Sequence, residues 1–294
     1  MDKTRILALI AVTLVHVIYG LTFTFANDVL AEGYIKPYGF LLVRVVGAAI
    51  LFWIFSLFTV KEPIAAKDYI TIFFAAVFGL GLNFLTFFKG LEFTTPIHAS
   101  VIMTVVPIVV LLLSAFFLKE RVTGLKIIGI SLGLSGAIVL SVYGKSPHPT
   151  DQIPLGNLLI FINAVSYSIY IIIIKNLTNK YHPFTFIRWL FLFGALLVIP
   201  FGYNEFSQIA WATFPPYILF SVLFVVVGAT FGTYLLNPLA LRHLKASTVS
   251  TFLYIQPVIA SVFALFMGSD TIDLVKVIAA VLIFAGVYLV TKKN

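Results

Sequence analysis

The chain has 294 residues, 61% of them hydrophobic and only 10% charged, with a formal net charge of +8. Soluble domains carry roughly 25% charged residues, so a water-facing surface is excluded and lipid is the expected solvent. There is no cysteine, which removes disulfides, thiol nucleophiles and cysteine metal sites. The basic residues sit singly or in pairs at the ends of apolar runs, as membrane topology requires and nucleic-acid binding does not.

In hydrocarbon every backbone polar group must be paired internally, so spanning segments are helices or a closed barrel. A barrel strand alternates apolar and polar residues over about ten residues. This chain shows continuous apolar runs of about twenty, the length of a transmembrane helix. In chain order these predict spans near 6–26, 38–58, 69–89, 98–118 and 125–143, then 154–174, 184–203, 216–237, 248–267 and 274–291. The first follows Lys3 and Arg5 like a signal peptide, but its length and the missing small-x-small site near Ala26 predict a retained helix. Pro37 and Pro183 open helices, where a missing N–H is harmless. Loops are short, and the longest, Tyr143 to Pro154, is polar and proline-rich and lies near the midpoint.

With the N-terminus in the cytoplasm, fourteen Lys and Arg residues face that side and five (Lys36, Arg44, Lys89, Lys145 and Lys276) face the other. This positive-inside bias predicts two cytoplasmic termini and an even number of spans. Ten fits.

A shift of 150 residues superimposes the fourth and fifth spans on the ninth and tenth without a gap. Ser100 meets Ser250, Pro107 meets Pro257, Glu120 meets Asp270, Lys126 meets Lys276 and Gly136 meets Gly286. The second and seventh spans share an opening proline and an inner arginine, Pro37 with Arg44 and Pro183 with Arg188. The expected fold is an all-α integral membrane protein of ten transmembrane helices as two inverted five-helix repeats, 1–146 and 147–294. Five spans per half force the second half to enter from the opposite side, and such repeats place the substrate near the midplane. Pro107 and Pro257 fall there. Each frees a carbonyl four residues earlier, on Met103 or Leu253, facing either a cavity or a plain packing kink.

The segment GLEFTTPIHASVIMTVVPIVVLLLSAFFLKERVTGLKIIGISLGLSGAIVLS (90–141) resembles the most recognisable stretch of the EamA family, in the drug/metabolite transporter superfamily. HVIYGLTFTF (16–25) is similar to that family's first-span motif. The second half repeats the pattern more weakly, with Asp270 in place of the glutamate, and Asn27 stands where relatives often carry lysine. The resemblance covers essentially the whole chain. It implies an inner-membrane carrier, often an exporter of amino acids or related metabolites, and no particular substrate.

Polar side chains inside spans are costly and default to function. His16 lies mid-span with Tyr19 on its face, serving a cavity or bonded neutrally to a neighbour. His98 opens the fourth span, at the interface or on a ligand. Asn163, Tyr167 and Tyr170 share one face of the sixth span. Thr230, Tyr234 and Asn237 share one on the eighth, and Ser247, Ser250, Thr251 and Tyr254 one on the ninth. Asn83 and Phe87 make a smaller face on the third. Stripes of this kind face protein or a water-filled cavity, so His16, Tyr19, Asn83, His98, Asn163, Tyr167, Tyr170, Tyr234, Ser250 and Tyr254 are the candidate substrate-binding residues. Arg44, Arg188, Pro107, Pro257, Glu120 and Asp270 are assigned gating or structural roles, the two arginines within snorkelling reach of opposite surfaces.

A secondary carrier exporting a small metabolite by alternating access is the expected function, with a passive facilitator or channel, or a membrane-embedded enzyme, as alternatives. The five scattered histidines and the lack of an intramembrane acid pair argue against an enzyme, and no G-x-x-x-x-G-K loop occurs for ATP. No cofactor, metal or nucleic-acid partner is expected. Partners are the bilayer and the substrate. Proton coupling, with His16 as the titratable candidate, and the oligomeric state stay open.

Overall fold

A computed structural model describes residues 3–59, 62–94, 96–142, 153–266 and 274–292. Among them regular structure is helical and no strand occurs. The helices are α1 (Lys3–Ala31), α2 (Pro37–Ser56), α3 (Ala66–Phe93), α4 (96–117), α5 (Gly124–Val142), α6 (Ile153–Thr178), α7 (Pro183–Ser207), α8 (Pro216–His243), α9 (246–266) and α10 (Leu274–Thr291). Eight are long and apolar enough to cross a membrane, while Val101–Phe117 in α4 and Gly124–Val139 in α5 are shorter apolar helices. The apolar outer surface, including Leu7, Leu112, Phe116, Leu196 and Phe220, is what a lipid solvent requires and water would oppose. The midpoint linker and Asp270 lie outside the described residues.

Two close helix pairs organise the bundle, and both depend on missing side chains. Across α5 and α10, a Cβ on Gly129 would stand 2.7 Å from the Gly286 carbonyl oxygen, and one on Gly136 would stand 2.6 Å from that of Ala279. Small residues permit this backbone approach, which carries helix association where lipid supplies no hydrophobic drive. Across α2 and α7, Gly39 lies against Glu205, and Gly202 against the Tyr38 carbonyl and Leu42. Further along, the Phe52 and Phe191 rings are 5.0 Å apart, and Arg188 reaches the Ser56 hydroxyl at 3.4 Å. The early part of α2 therefore meets the late part of α7, so the two run antiparallel.

Four helices are interrupted. Helix α3 widens into a π-turn at Val77–Gly81, and α8 does so over Phe224–Gly232. Such i→i+5 turns misalign the ladder and leave carbonyls for other donors. Helix α4 breaks at Thr104 and Val105, whose N–H groups donate three residues back to Val101 and Ile102. Helix α9 passes through a 3-10 turn at Phe252–Tyr254. Pro107 and Pro257 thus lie in the first turn of each helix's second piece, where a missing N–H is tolerated. The interruption begins before the prolines.

Helix ends are capped largely by residues distant in sequence. Glu62 Oε2 accepts from the His182 backbone N–H at 2.8 Å and the Thr185 hydroxyl at 2.9 Å, at the start of α7. Glu205 Oε2 accepts from the Gly39 N–H at 2.8 Å, at the start of α2. Glu120 accepts from the Ala246 N–H at 2.7 Å and the Ser247 hydroxyl at 2.6 Å, at the start of α9. A carboxylate there satisfies orphan N–H groups and opposes the positive helix end. Lys175 does the converse, donating to the Leu241 and Leu244 carbonyls at the end of α8.

Candidate functional site

The interruptions bring a set of polar and aromatic side chains together inside the bundle. In α3 the π-turn frees the Phe78 and Gly79 carbonyls. The first accepts from the Ser166 hydroxyl at 2.8 Å and the second from the Tyr234 hydroxyl at 2.9 Å. Gly79 is needed here, since a Cβ would stand 2.3 Å from the Tyr170 ring. The Tyr170 and Tyr234 rings are 5.8 Å apart, and Tyr167 and Tyr170 are 5.9 Å apart. Asn237 of α8 donates to the Tyr167 hydroxyl at 3.4 Å.

Arg44 enters this cluster from α2. Its residue exposure is 9%, its Nε donates to the Thr230 hydroxyl at 3.2 Å, and its guanidinium lies over the Phe84 ring at 5.2 Å. Thr230 spends its own proton on the Val225 carbonyl five residues back, at 2.8 Å. It can therefore only accept from Arg44. Tyr19 and Tyr234 are close enough to Arg44 to interact with it electrostatically, and the Tyr19 hydroxyl lies beside that of Thr233. Tyr19 and Tyr167 are part-buried and keep some accessible surface.

The other candidate residues divide around this cluster. His16 is 2% exposed. Its Nδ1 is 2.9 Å from the Gln256 amide nitrogen, and it stacks on Phe252. It joins α1 to α9. Asn83 and Asn163 clamp α3 to α6, each side-chain amide donating to the other's backbone carbonyl, at 3.3 Å and 2.7 Å. Tyr254 donates to the Thr104 carbonyl at 3.0 Å, so the carbonyl taken up in α4 is Thr104's rather than Met103's. Ser250 turns back to the Ser247 carbonyl at 3.2 Å and stays out of the cluster. The His98 side chain and Asp270 are outside the described residues. Arg188 lies near the end of the bundle, its guanidinium 5.3 Å from the Trp53 ring.

Gln256, Thr233, Phe84 and Gly79 join the site without having been singled out as binding residues. Gln256 had a signal, a lone amide beside Pro257 in an apolar helix, whereas the role of Gly79 depends on a π-turn that no sequence pattern announces. A separate cavity of about 370 Å³ opens at the Arg5 end of the bundle, lined by Lys126, His243 and Lys245 among others. It is remote from the tyrosine cluster. No group of three or more metal-binding side chains occurs among the described residues.

The fold and this buried polar cluster define a multi-pass α-helical membrane transporter. The chain belongs to the EamA-like transporter family, whose model matches it twice, over residues 6–142 and 154–292. An uncharacterized transporter of Archaeoglobus fulgidus is 28% identical over 228 residues, 78% of this chain and 79% of the relative. A second from that organism is 22% identical across 100% of this chain and 99% of its own. The uncharacterized transporter YyaM of Bacillus subtilis is 25% identical over 91% of this chain and 88% of its own. A solved crystal structure with 16% sequence identity matches at a TM-score of 0.79, covering 98% of this chain and 96% of that one. It shares the fold.

Proposed function

We propose that the protein is a secondary transporter that exports a small metabolite, an amino acid or related compound, across the inner membrane by alternating access. The moving parts are two inverted five-helix halves, 1–146 and 147–294. One observation carries the reading: corresponding helices of the two family matches meet each other antiparallel. In the α2–α7 pair, Gly39 meets Glu205 and Ser56 meets Arg188. In the α5–α10 pair the contacts cross reciprocally under the 150-residue shift, Gly129 with Gly286 and Gly136 with Ala279. The Tyr254–Thr104 bond joins two residues related by that same shift. Reciprocal contacts of this kind characterise a two-fold relation, and an axis in the membrane plane makes the inside-facing and outside-facing forms near mirror versions of each other.

Helices α4 and α5 complete ten spans in this reading, with the break in α4 buried in protein, where irregular backbone is tolerated. Arg5 donates to the Thr291 carbonyl at 2.6 Å, which supports both termini on one side, and the positive-inside bias makes that side cytoplasmic. In this reading the part-buried Tyr19 and Tyr167 and the buried Arg44 line the binding site between the halves.

Saturable exchange of a metabolite panel in reconstituted vesicles, with and without a pH gradient, tests the carrier. Failure to exchange any compound in either direction would sink it. Topology is checked separately in a chain that has no native cysteine. With an impermeant maleimide on intact cells, Lys36→Cys labels and Lys245→Cys does not; the reverse pattern would invert the assigned orientation.

A further inference from the structure

Arg44 is a buried cation with no anion of its own. Among the described residues it makes no ion pair, and its hydrogen bond leaves from Nε to a neutral hydroxyl, so Nη1 and Nη2 make none. The Phe84 face and the Tyr19 and Tyr234 side chains around it are neutral too. Every acidic residue among the described ones sits in a loop or within a turn or so of a helix end. Lys126, the other buried cation, is paired with Glu120 at 3.2 Å, and the part-buried Lys175 has two backbone carbonyls for its ammonium. A charge held in low dielectric without a partner is costly. It is retained at a helix's inner face, pinned by Thr230 with two donors left over, in the shape that recognises a carboxylate bidentately.

We propose that Arg44 is the substrate-recognising group, and that the transported substrate is an organic monoanion, a carboxylate on an apolar or aromatic body. This rests on the carrier reading above and, of an amino acid or related compound, takes the related compound that lacks the ammonium group. Nη1 and Nη2 take the carboxylate, and the part-buried Tyr19, Phe84 and Tyr167 rings receive the body. A zwitterion or an amine would find no carboxylate for its ammonium. The two unpartnered amide oxygens, Oδ1 of Asn163 and of Asn237, are fully enclosed and offer no accessible surface to one. The site thus carries one uncompensated positive charge, and a monoanion neutralises it.

The test uses the purified full-length protein and four probes of one shape: 3-(4-hydroxyphenyl)propionate, its amide, tyrosine and tyramine. Binding is measured by calorimetry, and exchange in vesicles. The wild-type protein binds the monoanion more tightly than the amide by about 10- to 100-fold, the range for a hydrogen bond to a buried charge, and more tightly than tyrosine or tyramine. Arg44→Gln abolishes the preference for monoanion over amide. Because removing a buried charge can also unfold a chain, Arg44→Lys is the second variant. It keeps the charge and loses the fork, so monoanion affinity falls about tenfold while amide affinity holds. Equal losses for all four probes in Arg44→Lys would mark Arg44 as structural and overturn the proposal. Tighter binding of tyrosine or tyramine than of the monoanion would overturn it as well. Wild-type exchange of neutral or zwitterionic solutes only would leave the carrier standing and remove the Arg44 assignment. No exchange of any solute would remove both.

Discussion

At the scale of single residues, the bundle's interior hangs on carbonyls that helix interruptions release. Tyr234 is the plainest case: its hydroxyl takes the Gly79 carbonyl and its ring packs edge-on against Phe191 at 5.0 Å. Tyr234→Phe keeps the ring and deletes the donor, leaving a buried carbonyl unsatisfied at about 1–3 kcal/mol. A matching fall in stability, read by denaturant or thermal unfolding in detergent, is expected; an unchanged midpoint would mean another donor reaches Gly79. Glu62 gives a pH test. The His182 N–H, and then the Thr185 hydroxyl, hold its carboxyl below the ordinary value of 4.5. A depressed folded value means its contribution is complete above 4.5 and is lost as pH falls through the lowered value. The Glu62→Gln variant should therefore lose less stability than the wild type between about pH 5 and pH 3. Parallel pH profiles would show that the cap carries no linked proton. Arg44 shows where sequence reading stopped. Two turns into α2 it stands within reach of the surface, and only the packing of Thr230 and Phe84 shows that it turns inward instead. His16, the residue singled out for titration, ties α1 to α9 through Gln256.

Among the helices, legibility followed chemistry that has a local signature. Apolar runs marked the segments, and the recurring proline and glycine at a 150-residue shift marked α4, α5, α9 and α10 as related. The interruptions themselves were less visible. Proline in α4 and α9 pointed to the right region, yet the break starts at Thr104 and at Phe252, ahead of Pro107 and Pro257, because a tight turn places each proline where no N–H is needed. The π-turns of α3 and α8 carry glycines, but glycine alone does not distinguish a wide turn from a close contact. The α5–α10 seam is the sharpest element-scale test. Gly286→Ala places a Cβ about 2.4 Å from the Gly129 carbonyl oxygen, a backbone atom that cannot swing aside. The two helices must separate, and overpacking of this kind costs about 1–3 kcal/mol. Gly124→Ala, with nothing within 4 Å of its Cβ, is the control and should leave the unfolding midpoint in place. Equal behaviour of the two variants would mean the seam does not set stability.

For the molecule as a whole, the caps say more about motion than about stability. Glu62 on α7 and Glu205 on α2 each reach from one half to the other, and they do so at opposite ends of the α2–α7 pair. A single cap contributes only about 0.5–2 kcal/mol, so such ties can break and reform as the halves rock. Alternating access requires the two ends to part in turn, whereas a passive channel needs both open together. The absence of native cysteine makes the difference measurable. With Glu62→Cys and Thr185→Cys joined by a short bifunctional thiol reagent, the halves stay tied at one end. With Lys36→Cys and Gln208→Cys, at an exposed contact where the two side chains meet at 3.0 Å, they stay tied at the other. In a carrier each tether alone stops net exchange, and cleaving the reagent restores it, while substrate still binds from the untied side. Exchange that survives either tether would place the moving boundary somewhere other than between 1–146 and 147–294, and the two-halves mechanism would have to be given up.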